Sequence, residues 1–273
     1  MIKDITLGQY FPGNSVLHRL DPRMKIILTF LYIVLIFLAK SLVSYLFIIL
    51  GVVVMLFVSK LPVKPVIKGV KPVMFIILFT AVINIFWTKG DILLVDWAFI
   101  HIYLEGIIFA FYMLIRILAL VMGTSILLTY TTSPIDLTDG IEQLLSPLKN
   151  LKIPVHEFSM MMSIALRFIP TLIEETDKIM NAQKARGANF TSGKLLQRAK
   201  ALIPVLIPLF VSSIRRADDL ATAMECRCYR GGTGRTRMKK LKYKPEDFLF
   251  LFFMIIFGVC LIVLNIILPV FSI

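Results

Sequence analysis

The feature that most constrains this chain is an apolar block from Ile26 to Val58, broken only by Lys40-Ser41 and Ser44. Its 33 residues exceed the ~20 that one helix needs to cross a bilayer. The block therefore predicts two spans joined by a tight hairpin near Lys40, the first of them short enough to tilt or cross shallowly. Asp21-Pro22 begins it well, because Asp caps free amides and Pro fits a first helical turn.

Further apolar runs follow. Val73 to Trp87 reads as a third span ending in an interfacial Trp, and Gly106 to Tyr130 as a fourth, carrying Arg116. Phe248 to Leu268 reads as a fifth. Before the third span, Lys60 to Pro72 holds four lysines and three prolines and reads as an inner loop or a short helix on the lipid headgroups. The segment Thr88 to Glu105 carries Asp91, Asp96 and Glu105 against one lysine, which places it outside. With 58% hydrophobic residues, 17% charged and a mean hydropathy of +0.85, the chain falls in the polytopic membrane class.

The net charge of +13 is unevenly spread. Of 30 Lys and Arg, 4 fall in residues 1–25, 4 in 60–71 and 19 in 131–245. Lys40 and Lys89 lie in expected outer loops and Arg116 within a span. Every expected inner segment is the basic one, so the excess reads as positive-inside bias, with the N-terminus inside and the C-terminus outside. Met1 to Arg23 lacks the pattern of a signal peptide. Cys226, Cys228 and Cys260 give no disulfide framework.

Residues 131–245 are amphipathic rather than continuously apolar. Ser133-Pro134 reads as a cap and first-turn proline before a stripe of Leu137, Ile141, Leu144, Leu145 and Leu148. A second helix is expected from Pro154 to Arg186, kinked near Pro170 and stopped by Gly187. A third is expected from Ser192 to about Cys228, bent near Pro204 and Pro208 and stopped before Gly231-Gly232. These helices are too polar to span and too apolar to stand free in water, so they are expected to lie against the membrane. The fold expected is all-α: a polytopic membrane protein with about five transmembrane helices and about three amphipathic ones. Its parts are 1–130 (four spans), 131–245 and 246–273.

Two triplets, Ala185-Arg186-Gly187 and Cys226-Arg227-Cys228, close the two long amphipathic helices 41 residues apart. Asp177, Ala182 and Arg186 of the first copy match Asp218, Ala223 and Arg227 of the second. An Arg at a helix C-terminus complements the helix dipole, worth ~0.3–1 kcal/mol, and that alone explains one copy. The pairing and the small flanking residues favour docking, since they leave the guanidinium free to enter a partner's groove.

Other chemistry is poorly supplied. Cys226-x-Cys228 would be half a zinc site, with only His18, His156 and Cys260 to complete it. The basic run from Arg227 to Lys244 directly precedes a span, so headgroup contact explains it better than nucleic acid does. Arg116 must face the bundle, a partner or a wet cleft, with Asn84 as a candidate neighbour. Gly231-Gly-Thr-Gly234-Arg-Thr lacks the phosphate-loop spacing and its Lys. Two rival readings stand beside docking. A self-sufficient carrier would need polar residues at mid-membrane. An intramembrane transferase would need clustered catalytic groups, where only Glu174-Glu175-Asp177 and Asp218-Asp219 occur, beside basic residues.

Over nearly its whole length the chain resembles the CbiQ/EcfT family, the transmembrane coupling components of energy-coupling factor (ECF) transporters. The resemblance rests on Leu17-His18-Arg19-Leu20-Asp21-Pro22-Arg23-Met24-Lys25, on Thr131-Thr132-Ser133-Pro134, on Leu166-Arg167-Phe168-Ile169-Pro170 and on the two triplets. It implies that the long amphipathic helices are crossed coupling helices whose Arg186 and Arg227 each enter a groove of one of two ABC-type ATPases. It further implies a separate substrate-binding membrane subunit (the S component), interchangeable in some systems, and uptake of a vitamin or metal ion at a prokaryotic cell membrane, with residues 131–245 cytoplasmic. This chain would be non-catalytic and bind no cofactor, with ATP and Mg held by the ATPases. The family shows Ala-Arg-Gly at both triplets, so Cys226 and Cys228 are a departure. It fits a heterodimeric ATPase pair with two similar but unequal sockets.

Overall fold

A computed structural model of the chain describes residues 10–88, 92–97, 100–151, 153–188, 190, 195–231 and 240–267. Among them run α1 (Val16–Arg19), α2 (Pro22–Leu38), α3 (Leu42–Ser59), α4 (Val63–Trp87) and α5 (Leu104–Thr124), then α6 (Pro134–Leu144), α7 (Val155–Ala185), α8 (Leu195–Cys226) and α9 (Pro245–Ile267). A π-helical turn, Ser125–Thr129, prolongs α5, and a 3-10 turn, Ser146–Leu151, follows α6. The protein is an all-α polytopic membrane protein, as its apolar runs require, because a backbone in lipid must satisfy its own hydrogen bonds.

Among the described residues, five helical segments are long and apolar enough to cross a membrane: α3, α4, α5 with its π-turn, α8 and α9. The number agrees with the sequence reading but the membership differs. Helix α2 has only 17 residues, about 26 Å of rise, and buries Met24, Leu28, Tyr32, Leu35 and Ile36 in the core. Helix α8, expected along the membrane surface, qualifies through its apolar Leu202–Ile214 stretch.

One local expectation is narrowed and another corrected. Of the two readings of the lysine–proline segment the helical one holds, although the helix is not a separate short one: from Val63 onward it is the first part of α4. Pro65 lies in the first turn, where no backbone donor is needed, so its missing N–H costs nothing. The segment before α5, expected as a loop, contains an antiparallel strand pair, β1 (Leu93–Trp97) with β2 (Ile100–Tyr103). The carboxylate of Glu105 accepts from Ile92 N at 3.2 Å beside it. Helices α7 and α8 are each continuous through their internal prolines, Pro170 and Pro204/Pro208.

The described residues fall into two compact units, one from Gly8–Ile141 with Leu241–Ile273 and the other containing Glu142–Lys240. In the first, α2, α3, α5 and α9 share one core. Four of its largest fully buried side chains are tyrosines. Tyr32 donates its phenol to Ala119 O at 2.8 Å, Tyr45 to Ala39 O at 3.2 Å and Tyr130 to Pro65 O at 3.1 Å. A buried phenol needs such a partner, and each bond stitches one segment to another.

A polar latch holds the end of this unit where α1, α2 and α9 begin. Asp21 caps α2, accepting from Arg23 N at 2.9 Å and from the Arg23 guanidinium at 2.9 and 3.0 Å. Burial pushes its carboxyl up, but the Arg23 side chain and backbone outweigh that and hold it below the ordinary carboxylate value. Asp247, fully buried, reaches across 226 positions to accept from Asp21 N at 2.8 Å, and caps its own helix through Lys244 N at 2.7 Å. The buried ammonium of Lys25 donates to Thr131 O at 2.7 Å. Ser133 caps α6 through Asp136 N, and Pro22 lies against Gly140. The segments Leu17–Lys25 and Thr131–Pro134 thus meet in one place. At the other end of α2 and α9, Asn265 Oδ1 accepts from Lys40 N, Ser41 N and Ser44 Oγ, while its amide donates to Leu38 O. That closes the α2–α3 hairpin onto α9.

Substitutions at two positions test this packing by thermal unfolding in detergent. A Cβ at Gly123 would stand 2.3 Å from the Tyr32 ring, which its phenol bond prevents from yielding. Gly123→Ala is expected to destabilise by about 1–3 kcal/mol. Asp247→Ala leaves the buried Asp21 N–H without its acceptor and is expected to cost about 1–3 kcal/mol, with Asp247→Asn costing less.

Candidate functional site

The two triplets lie at helix ends of the same construction. Helix α7 stops at Arg186, whose successor Gly187 turns into the left-handed region at φ 87°. Gly187 N donates to Lys184 O and Ala188 N to Gln183 O, both at 2.9 Å. Helix α8 repeats the pattern. Cys228 takes φ 55°, donating to Glu225 O at 2.8 Å, and Tyr229 N donates to Met224 O at 3.0 Å. Both are Schellman endings, in which the two residues after the last helical one turn back to close the final carbonyls. Arg186 and Arg227 occupy the same position in each, and all six triplet residues are exposed.

The repeat extends into the packing. Helices α7 and α8 contact each other, and the Arg216 guanidinium meets the Glu175 carboxylate at 2.5 Å. These two residues are equivalent under the 41-residue repeat, so the helices meet at matching points. From that contact each chain runs a further 11 residues to its Arg, about 16 Å of helix. The ion pair is partly exposed and worth at most about 1 kcal/mol. Its significance lies in the register it marks. Two arginines are presented at equal helical distances from a shared contact, each at the end of a long helix.

The second copy carries a local cost. A non-glycine residue in the left-handed region loses ~1–2 kcal/mol, which Gly187 avoids and Cys228 does not. Cys226 and Cys228 are free and exposed thiols, and no group of three or more His, Cys, Asp or Glu able to hold a metal occurs among the described residues.

Arg116 is half-buried in α5 and turns toward the α2–α3 hairpin. Its guanidinium donates to the Tyr45 phenol and to Ala39 O at 3.3 Å, with Tyr45 stacked on Tyr112 at 5.0 Å between centroids. Asn84 instead donates to Thr80 O of its own helix at 2.8 Å, and among the described residues no hydrogen bond links it to Arg116. Sequence reasoning missed Tyr45, Asp247 and Asn265. The last two are polar residues at the ends of an apolar helix, and that position was the available signal.

Similar endings on two contacting helices, together with helices of membrane-crossing length, describe a multi-pass membrane protein. Comparison with known proteins agrees. The family model for CbiQ, described as a cobalt transport protein, matches residues 13–239. Proteins named energy-coupling factor transporter transmembrane protein EcfT are 57% identical in Ruminiclostridium cellulolyticum over 249 residues (91% of this chain, 92% of that protein). The counterpart in Clostridium kluyveri is 56% identical over 250 residues (91% and 92%). In Bacillus subtilis the identity is 47% over 247 residues (90% and 93%). The chain belongs to the CbiQ/EcfT family of transporter transmembrane proteins.

The matched helix ends predict a gain from restoring symmetry. Cys228→Gly is expected to stabilise the end of α8 by about 1 kcal/mol, read as slower amide hydrogen exchange at residues 227–229.

Proposed function

We propose that this chain is the transmembrane coupling subunit of an ECF-type importer, passing the motion of two ABC-type ATPases to a membrane subunit that binds the solute. The observation that supports it most is the pair of exposed arginines at matching helix ends, equidistant from the Glu175–Arg216 contact. An Arg fork presents five donors in a fixed plane, suited to carboxylates and backbone carbonyls in a partner's groove. In this reading Arg186 and Arg227, with Ala185, Gly187, Cys226 and Cys228 around them, are the two docking points. The ATPases hold ATP and Mg.

The mechanism is mechanical. ATP binding closes the two ATPases, and each groove carries its arginine along. Because the helices cross, drawing their tips together changes the crossing angle, and the apolar faces beyond the crossing shift with it. A solute-binding subunit held on those faces is thereby reoriented. Two stiff levers with a shared fulcrum need only small displacements at the tips, as in other helix-shift transitions. The basic bias of 131–245 favours a cytoplasmic location for this region, with the N-terminus inside and the C-terminus outside a prokaryotic cell membrane. The unequal triplets favour two non-identical ATPases, and a vitamin or metal ion is the cargo class.

The double variant Arg186→Glu/Arg227→Glu tests this. It is expected to remain in the membrane at normal level, to lose co-purification of the ATPases, and to lower ATP-driven uptake by at least about tenfold, the loss typical of truncating a charged hot spot. Uptake at the unaltered rate would sink the docking reading.

A further inference from the structure

The lysine segment that opens α4 has no part in that coupling scheme. Lys64, Lys68 and Lys71 recur at i, i+4 and i+7, which sets them along one face of the helix. All three are exposed, and among the described residues none is paired with a carboxylate. Helix α4 also begins at Pro62 with no side-chain cap and no acidic residue in its first turn, so its free amides add positive potential at the same end. Beside the lysines lies a groove of about 510 Å³ between α4 and α5, whose apolar lining is Ile67, Val70, Met74, Leu118 and Met122.

The length of α4 relates the two features. Counted back from Trp87, the hydrocarbon layer takes about 20 residues. That leaves Lys64 beyond it, Lys68 at its boundary and Lys71 about one turn inside, from where a long side-chain stem carries the ammonium group to the headgroup layer. A merely basic surface attracts anionic lipid without a groove. Here three exposed cations, with no carboxylate partner among the described residues, line the same furrow as Met74, Leu118 and Met122, which matches one charged headgroup joined to one acyl chain.

We propose that this groove binds an anionic phospholipid, its phosphate held by Lys64, Lys68 and Lys71 and an acyl chain laid against Met74, Leu118 and Met122. The site is independent of the arginine docking points, so either can fail without the other.

The test uses the protein purified from membranes with the subunits that follow it, reconstituted in equal amounts of phosphatidylglycerol and phosphatidylcholine. The lipid retained after mild detergent extraction is then measured by mass spectrometry. Phosphatidylglycerol is expected to be retained in preference. Lys64→Gln/Lys68→Gln/Lys71→Gln is expected to lower that preference by at least about tenfold, since each basic residue near an anionic surface contributes on the order of fivefold. The triple Lys→Arg variant is expected to keep it, which separates charge from misfolding. Met122→Trp, which fills the furrow without altering charge, is expected to lower retention as well. The proposal is overturned if the Gln variant retains phosphatidylglycerol like the unaltered protein, if the Arg variant loses it as fully as the Gln variant, or if Met122→Trp has no effect. Displacement of the lipid by inorganic phosphate would mark a free-anion site instead and equally overturn it.

Discussion

Asp247 is the interaction on which the membrane bundle turns. One carboxylate, buried completely, accepts the backbone amide of Asp21 and caps its own helix through Lys244. A buried charge is tolerable only when its lone pairs are occupied and cations stand near, and the surroundings meet that condition. Arg23 and Lys25 supply positive charge, and the Arg23 guanidinium carbon lies over the Tyr243 ring, 3.9 Å from its centroid. The first and last long helices of the unit are joined at their starts by this group and near their opposite ends by Asn265. Between the two ties the packing is apolar and close, with Tyr32 against Gly123 and Leu35 against Gly258. Small residues permit such approach in lipid, where no hydrophobic force draws helices together.

Helices α7 and α8 follow a different logic. They are long, continuous and comparatively little buried, and they meet through an ion pair at equivalent positions of an internal repeat. Such a pair does little for stability. It fits two levers that keep their register while their tips are displaced. The Schellman endings then serve the same purpose locally, because a helix whose last carbonyls are closed does not fray and holds its terminal Arg in a defined place. The lysine face of α4 is a third kind of device, one that addresses the lipid.

Much of this was legible in advance for identifiable reasons. Apolar run length marks helices in a bilayer, and the caps at Asp21, Ser133 and Gly187 mark ends because backbone donors and acceptors there need partners. The 41-residue repeat was visible as a spacing. The signature around Leu17–Lys25 was legible only as a pattern. Its reason, that His18 meets Phe11 O, Asp21 N donates to Asp247, Arg23 meets the Tyr243 ring and Lys25 donates to Thr131 O, belongs to contacts outside the segment. The hairpin between α4 and α5 was missed, and the lysine segment was left open between loop and helix, because short strands and proline-rich first turns carry weak local signals.

By itself the sequence determined that this chain is a helical membrane protein, where its helices end, and that two arginines close two related helices, since these follow from local hydropathy, capping chemistry and spacing. Tertiary structure alone decided that Arg116 turns to Tyr45 and Ala39 rather than Asn84. It likewise decided that Asp247 holds Asp21, and that Glu175 meets Arg216 at the crossing. The physical reason is that a buried polar group takes whichever partner the packing of distant helices brings within about 3 Å, and no local pattern records that choice.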